Sequence, residues 1–148
     1  MLSVSRLLCG AAAPGDDLRY GDAQAGAPHR PVHSRPIVVW NVTRRCNLHC
    51  AHCYSSSRDV EYPGELDLRE ARQVIEDLAM FEVPAVLFSG GEPTCRADLP
   101  ELVSYASSLG FRPVLSTNGT LLDSRMAGEL WDAGLRRAGI SLDGMEAT

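Results

Sequence analysis

The chain has 148 residues, 45% of them hydrophobic, and a net charge of -5, as expected of one soluble globular domain. Acidic and basic residues are interspersed, so there is no basic stripe for a nucleic-acid partner. No apolar run approaches the roughly 20 residues of a membrane span, so neither nucleic acid nor membrane is expected as a partner. Residues 7–13 superficially resemble a short export signal, but a single Arg precedes them, the apolar core is short and Asp16-Asp17 follow at once. The expected location is the cytoplasm, where thiols stay reduced and clustered cysteines serve metals or catalysis more often than disulfides.

Residues 1–35 are rich in Gly, Pro, Ala and Arg and keep no sustained period. They read as an extended or partly ordered leader with one helical turn over residues 3–8. The character changes at Pro36, and residues 36–148 read as one domain. Residues 37–42 are rich in β-branched side chains and read as a buried strand. It feeds a cysteine loop and then a polar stretch over residues 55–64.

Asp67-Leu68-Arg69-Glu70 has the form of a capping box. Leu68, Ala71, Val74, Ile75, Leu78 and Ala79 keep helical spacing behind it. Residues 85–88 read as a second strand, and Ser89-Gly90-Gly91-Glu92-Pro93 as the loop that leaves it. Residues 98–101 suggest a second capping box, opening a helix whose face carries Leu99, Leu102, Val103, Ala106 and Leu109. Gly110 stands where a helix end favours a left-handed residue. Residues 112–116 read as a third strand, residues 123–133 as a third helix stopped by Gly134, and residues 137–142 as a fourth strand. Trp131, on the third helix, is expected to pack.

The order β-α-β-α-β-α-β predicts an α/β fold with a parallel sheet and right-handed crossovers. A β/α barrel uses about 30 residues per unit. Residues 36–148 therefore supply three units and a strand, a partial barrel truncated after about the fourth strand. A four-strand piece is expected to leave a bare sheet edge, and so to be of limited stability and activity by itself.

Three of the five cysteines, Cys46, Cys50 and Cys53, fall within eight residues in a C-x3-C-x2-C pattern. Three thiolates on one loop are a ligand set for a metal centre. An iron–sulfur cluster with one iron left without a protein ligand fits the spacing. Zinc remains an alternative because His49 and His52 interleave with the cysteines. A structural zinc, however, takes ligands from two separated pairs, and no second pair is present downstream. The loops after the second, third and fourth strands all fall on the sheet edge that carries the cysteine loop, where ligands of parallel α/β sheets bind. Cys95 reads as a small buried thiol. Thr43-Arg44-Arg45 reads as solvated charge or as a contact to an anionic ligand.

The C-x3-C-x2-C motif, with the aromatic Tyr54 after its third cysteine, resembles that of the radical S-adenosylmethionine (SAM) enzymes. The resemblance implies a (β/α)6 barrel and a [4Fe-4S] cluster on Cys46, Cys50 and Cys53. The open iron of that cluster would chelate SAM, whose reductive cleavage gives a 5'-deoxyadenosyl radical. It implies an electron donor such as flavodoxin or ferredoxin. It also implies SAM-binding roles for Gly90, Gly91 and Glu92, which match the family's GGE motif, for Asn118, and for Ser141 and Asp143. No residue acting on the substrate itself is identified. Residues 1–10, Leu18-Arg19-Tyr20-Gly21, residues 39–45 and Tyr62-Pro63-Gly64-Glu65-Leu66 further resemble the tetrapyrrole-modifying branch of that family. Those members serve the siroheme-based heme pathway, with its didecarboxysiroheme deacetylase-like enzymes, and heme d1 biosynthesis. That likeness implies side-chain modification of an iron tetrapyrrole. Peptide maturation on the same core, a non-catalytic zinc module and an inactive remnant are the competing readings.

Overall fold

Four strands form: Val38–Thr43 (β1), rich in β-branched side chains, Ala85–Gly90 (β2), Arg112–Thr117 (β3) and Arg137–Ile140 (β4). The structure, a computed structural model, describes residues 36–142. The expected leader with its helical turn, as well as Asp143, lies outside the described residues. The four strands make one sheet in the order β1-β2-β3-β4 with every neighbouring pair parallel. The parallel α/β expectation therefore holds.

Side chains alternate across a strand, and the register aligns the alternation. Val38, Trp40 and Val42 share a face with Val86, Phe88 and Leu115. Three helices cover that face: Leu68–Met80 (α1), Leu99–Ser108 (α2) and Ser124–Asp132 (α3). Phe88, Ile75, Leu99, Leu102, Val103 and Leu115 are fully buried there. The opposite face takes Val39, which is 61% exposed. Among the described residues β1 is thus an outer, half-buried strand, where its composition suggests a buried one. β4 is exposed throughout.

The helix signals divide. Asp67 accepts from Glu70 N at 2.7 Å while the Glu70 carboxylate accepts from Asp67 N at 3.0 Å, so the first capping box is complete. Asp98 makes no side-chain cap. Its two oxygens are taken by Arg96 at 2.6 and 3.0 Å, and a bidentate guanidinium outcompetes a helix N–H for a carboxylate. Leu109 is 41% exposed rather than packed, because it sits at the helix end where the chain turns away. Trp131 is 59% exposed, its ring capped by the Arg136 guanidinium at 4.1 Å instead of by the core.

The register slips between Asn41 and Thr43, so β1 carries a bulge opposite β2. A bulge bends a strand and re-aims the chain beyond it, which here is the cysteine loop. The carbonyl of Val42, at the bulge, accepts from Arg96 Nη1 at 3.0 Å. Arg96 therefore fastens the bulge to the turn that precedes α2.

Candidate metal and cofactor site

The chain leaves β1 through a tightly bonded corner. Thr43 Oγ1 donates to the Glu65 carboxylate at 3.0–3.1 Å and accepts from Arg45 N at 3.0 Å. Arg44 N also donates to Glu65. Cys46 N then donates to Arg58 O at 3.1 Å, closing the loop. Inside it, Cys53 N donates to Cys50 O and Ser56 N to Cys53 O, at 3.1 and 3.3 Å. Ser56 adopts a left-handed backbone at φ +48 to complete the turn.

All three cysteines of the motif are free thiols, with Cys46 buried and Cys50 and Cys53 half-buried. Each of the outer two receives hydrogen bonds. Leu48 N donates to Cys46 Sγ at 3.4 Å, and Asn118 Nδ2 approaches it at 3.9 Å. Cys53 Sγ lies 3.3 Å from Ser55 Oγ, which is 2.6 Å from Ser57 Oγ. The Ser55 hydroxyl, then the Ser57 and Ser55 backbone N–H groups, hold the Cys53 thiol down to about 7 against a smaller opposing effect of burial. Anionic sulfur needs such donors, so the donor set fits an iron–sulfur cluster held by thiolates. Among the described residues, no three His, Cys, Asp or Glu side chains converge closely enough to hold a single metal ion.

Gly90 and Gly91 press against this corner. A Cβ on Gly90 would lie 2.1 Å from Thr43 O, and one on Gly91 2.5 Å from both Arg44 O and Arg45 O. Gly91 N and Glu92 N donate to Thr43 O and Arg45 O at 2.9 and 2.8 Å. The close approach that requires glycine here is thus between two segments of the chain. Glu92 is fully buried. Its carboxylate accepts from Thr94 N, Thr94 Oγ1, Thr117 Oγ1 and Asn118 N at 2.6–3.0 Å. Its side chain therefore clamps the loop after β2 to the exit of β3.

Asn118 joins the exit of β3 to the cysteine loop. Its Nδ2 donates to Asn47 Oδ1 at 3.0 Å, and its Oδ1 accepts from Thr120 N and Thr120 Oγ1. Asn47 Nδ2 donates in turn to Thr120 Oγ1 at 2.8 Å. Ser141 is exposed just beyond β4, with its N–H donated to Thr117 O at 2.9 Å. Cysteine loop, glycine loop and Asn118 therefore meet at one sheet edge, and Ser141 lies after β4 on the same edge.

Around the loop, Arg45 pairs with Asp59 at 2.6 Å, and Arg44 lies 4.8 Å over the Tyr62 ring while its Nε donates to Ser55 O at 3.2 Å. Cys95 lies in a short 3-10 turn, Pro93–Cys95, half-buried rather than fully enclosed. Burial pushes its thiol up, partly offset by a backbone hydrogen bond from Asn47. Sequence reasoning gave no structural role to Glu65, Ser57, Thr117 or Asn47. Each acts on residues distant in the chain or through a neighbouring hydroxyl, and none has a spacing that marks it. An open cavity of about 450 Å³ beside Thr43, Gly90 and Gly91 is also lined by Trp40, Arg44 and Glu65.

Residues 40–147 match the radical SAM superfamily model. Fe-coproporphyrin III synthase of Methanosarcina barkeri is 49% identical over 152 aligned residues, covering 100% of this chain and 38% of that protein. Pre-heme d1 synthase of Dinoroseobacter shibae is 48% identical over 114 residues, covering 77% of this chain and 28% of that protein. This chain thus spans well under half the length of these relatives. In fold, it matches a crystal structure of BtrN in complex with AdoMet and 2-DOIA at a TM-score of 0.63 and 23% identity, over 74% of this chain and 47% of that one. Members of the family use a [4Fe-4S] cluster and SAM. The chain belongs to the radical SAM superfamily.

Proposed function

We propose that this chain forms the cluster- and SAM-binding portion of an enzyme that modifies side chains of a siroheme-derived iron tetrapyrrole. Cys46, Cys50 and Cys53 would hold the cluster, which when bound supplies the electron for reductive cleavage of SAM. Gly90 and Gly91 place their loop beside the cysteine corner. Asn118, fixed by Glu92 through its backbone and by Asn47 and Thr120 through its side chain, orders the adjoining edge. Ser141, and Asp143 beyond the described residues, would complete the SAM contacts from the end of β4. A small electron-transfer protein is the expected reductant. The observation that carries the site is the bonding of the cysteine corner to the glycine loop, Glu92 N to Arg45 O at 2.8 Å. Support for the substrate class comes from the 49% and 48% identities to proteins named for tetrapyrrole products.

The test is anaerobic reconstitution with iron and sulfide, followed by incubation with SAM and siroheme-derived tetrapyrroles. The expected results are visible cluster absorbance, 5'-deoxyadenosine, and a change in tetrapyrrole mass. A C46A/C50A/C53A variant should lose all three. If absorbance and SAM cleavage persist in that variant, the proposal fails. If both are lost but only precursor peptides change mass in the wild type, the substrate class is a peptide.

A further inference from the structure

We infer that Ser55 and Ser57 form a hydroxyl pair that donates to the Cys53 sulfur and sets the reduction potential of a cluster held there, which rests on the ligand role proposed for Cys53. Ser55 Oγ lies 3.3 Å from Cys53 Sγ and 2.6 Å from Ser57 Oγ. Ser57 is 5% exposed, and a buried hydroxyl without a partner is costly. Its partner is Ser55.

The direction of these bonds is fixed by proton counting. A sulfur bound to iron carries no proton, so in its contact with Ser55 only the hydroxyl can donate. With the Ser55 proton committed to sulfur, the 2.6 Å bond must be donated by Ser57. The pair becomes a two-step chain pointing at the metal ligand.

The chain is also anchored from outside the loop. The Ser55 carbonyl accepts from Arg44 Nε at 3.2 Å, and the Arg44 guanidinium lies over Tyr62. The Tyr62 hydroxyl in turn accepts from Arg58 N at 3.0 Å. Ser55 therefore does not depend on the sulfur for its position. Cys46, by contrast, receives a backbone N–H at 3.4 Å and a longer amide approach. Cys53 is the ligand that a removable side-chain hydroxyl approaches, beside the backbone N–H groups of Ser55 and Ser57.

Hydrogen bonds to cluster sulfur favour the reduced, more negative state and raise its potential. Partial burial strengthens them. Removing the Ser55 hydroxyl should therefore make the cluster harder to reduce.

The experiment is a dithionite titration followed by EPR on the full 148-residue chain, reconstituted anaerobically with ferrous iron and sulfide. Ser55→Ala should shift the potential negative, changing the reduction equilibrium by up to about tenfold, which is about 59 mV for one electron. Ser57→Ala should shift it in the same direction by less. Ser55→Thr, which keeps a hydroxyl, should restore the wild-type value, with equal iron and sulfide per chain. A wild type that takes up no iron overturns the ligand reading beneath the inference. A loaded Ser55→Ala with wild-type potential overturns the inference alone. If Ser55→Ala does not load, Ser57→Ala decides: a wild-type potential there also overturns it.

Discussion

The Glu92 carboxylate accepts the backbone N–H of Asn118 at 2.7 Å, across 26 positions of chain. Its other oxygen accepts from Thr94 N, Thr94 Oγ1 and Thr117 Oγ1. The loop after β2 is thereby tied to the exit of β3 by one buried side chain. From Asn118 the network continues to Asn47 and Cys46. The acid of the GGE motif thus reaches the cysteine loop through hydrogen bonds.

Glu92→Gln tests this clamp. An amide of the same size turns one acceptor into a donor, so a donor among Thr94, Thr117 and Asn118 loses its partner. Burying such a group costs about 1–3 kcal/mol. The metal-free chain should lose about that much stability in thermal or denaturant unfolding. Iron uptake should fall with it, because Asn118 is released from its place beside Asn47. Unchanged unfolding of the metal-free variant would contradict the clamp.

Residues that act locally were legible in the sequence. Asp67 and Glu70 are three apart and cap each other, while Cys46, Cys50 and Cys53 lie within a single loop. Gly90 and Gly91 were legible as part of the GGE motif, but the neighbour that demands glycine there, the backbone at residues 43–45, is about 47 positions away. Asp98 carried the same signature as Asp67 and did something else, because Arg96 reaches it first. β1 was misjudged because composition reports strand propensity but not which strand lies at the margin of a sheet. Glu65 and Ser57 left no trace in spacing, since their roles arise only once the chain has folded.

Gly91→Ala should be severe although it adds one methyl group. The new carbon would meet two carbonyl oxygens at 2.5 Å, and the corner they belong to is pinned by Glu65. Neither side can give way without breaking the bond from Gly91 N to Thr43 O. Overpacking of this kind costs about 1–3 kcal/mol, and the lost bond adds about 1 kcal/mol. The expected readouts are a lowered unfolding midpoint and reduced iron per chain. A substitution at Gly64, where nothing lies within 4 Å of the added carbon, should leave packing intact and strain only its positive φ.

The two aspartates before α1 and α2 should separate in a mutant cycle. Asp67→Ala removes a capping box and should cost about 1 kcal/mol. Asp98→Ala should act instead through Arg96, whose side chain is 9% exposed and also holds Val42 O. Leaving a largely buried guanidinium without its carboxylate costs about 3–5 kcal/mol, reduced here because Asp98 is 25% exposed. Denaturant unfolding of Arg96→Met, Asp98→Ala and the double variant should show strong coupling. Additive losses would mean that Asp98 acts on α2 independently of Arg96.

The Cys53 thiol supplies a pH-dependent test on the metal-free chain. Its folded-state value is lowered from 9.0 to about 7, chiefly by the Ser55 hydroxyl. A depressed value favours the ionised form in the folded state. Its contribution to stability is complete above the unfolded value near 9, and is lost as pH falls through about 7. Between those limits, raising the pH should stabilise the metal-free fold through this group. Alkylation reports the same ionisation directly, because the thiolate is the nucleophile. Iodoacetamide labelling resolved by peptide mass spectrometry should give Cys53 a rate midpoint near 7. Cys95, pushed up by burial, should label slowly at the same pH. Ser55→Ala should move the Cys53 midpoint upward while leaving the Cys95 profile in place. A Cys53 midpoint at the ordinary thiol value of about 8.5 would mean that Ser55 does not donate to this sulfur in solution.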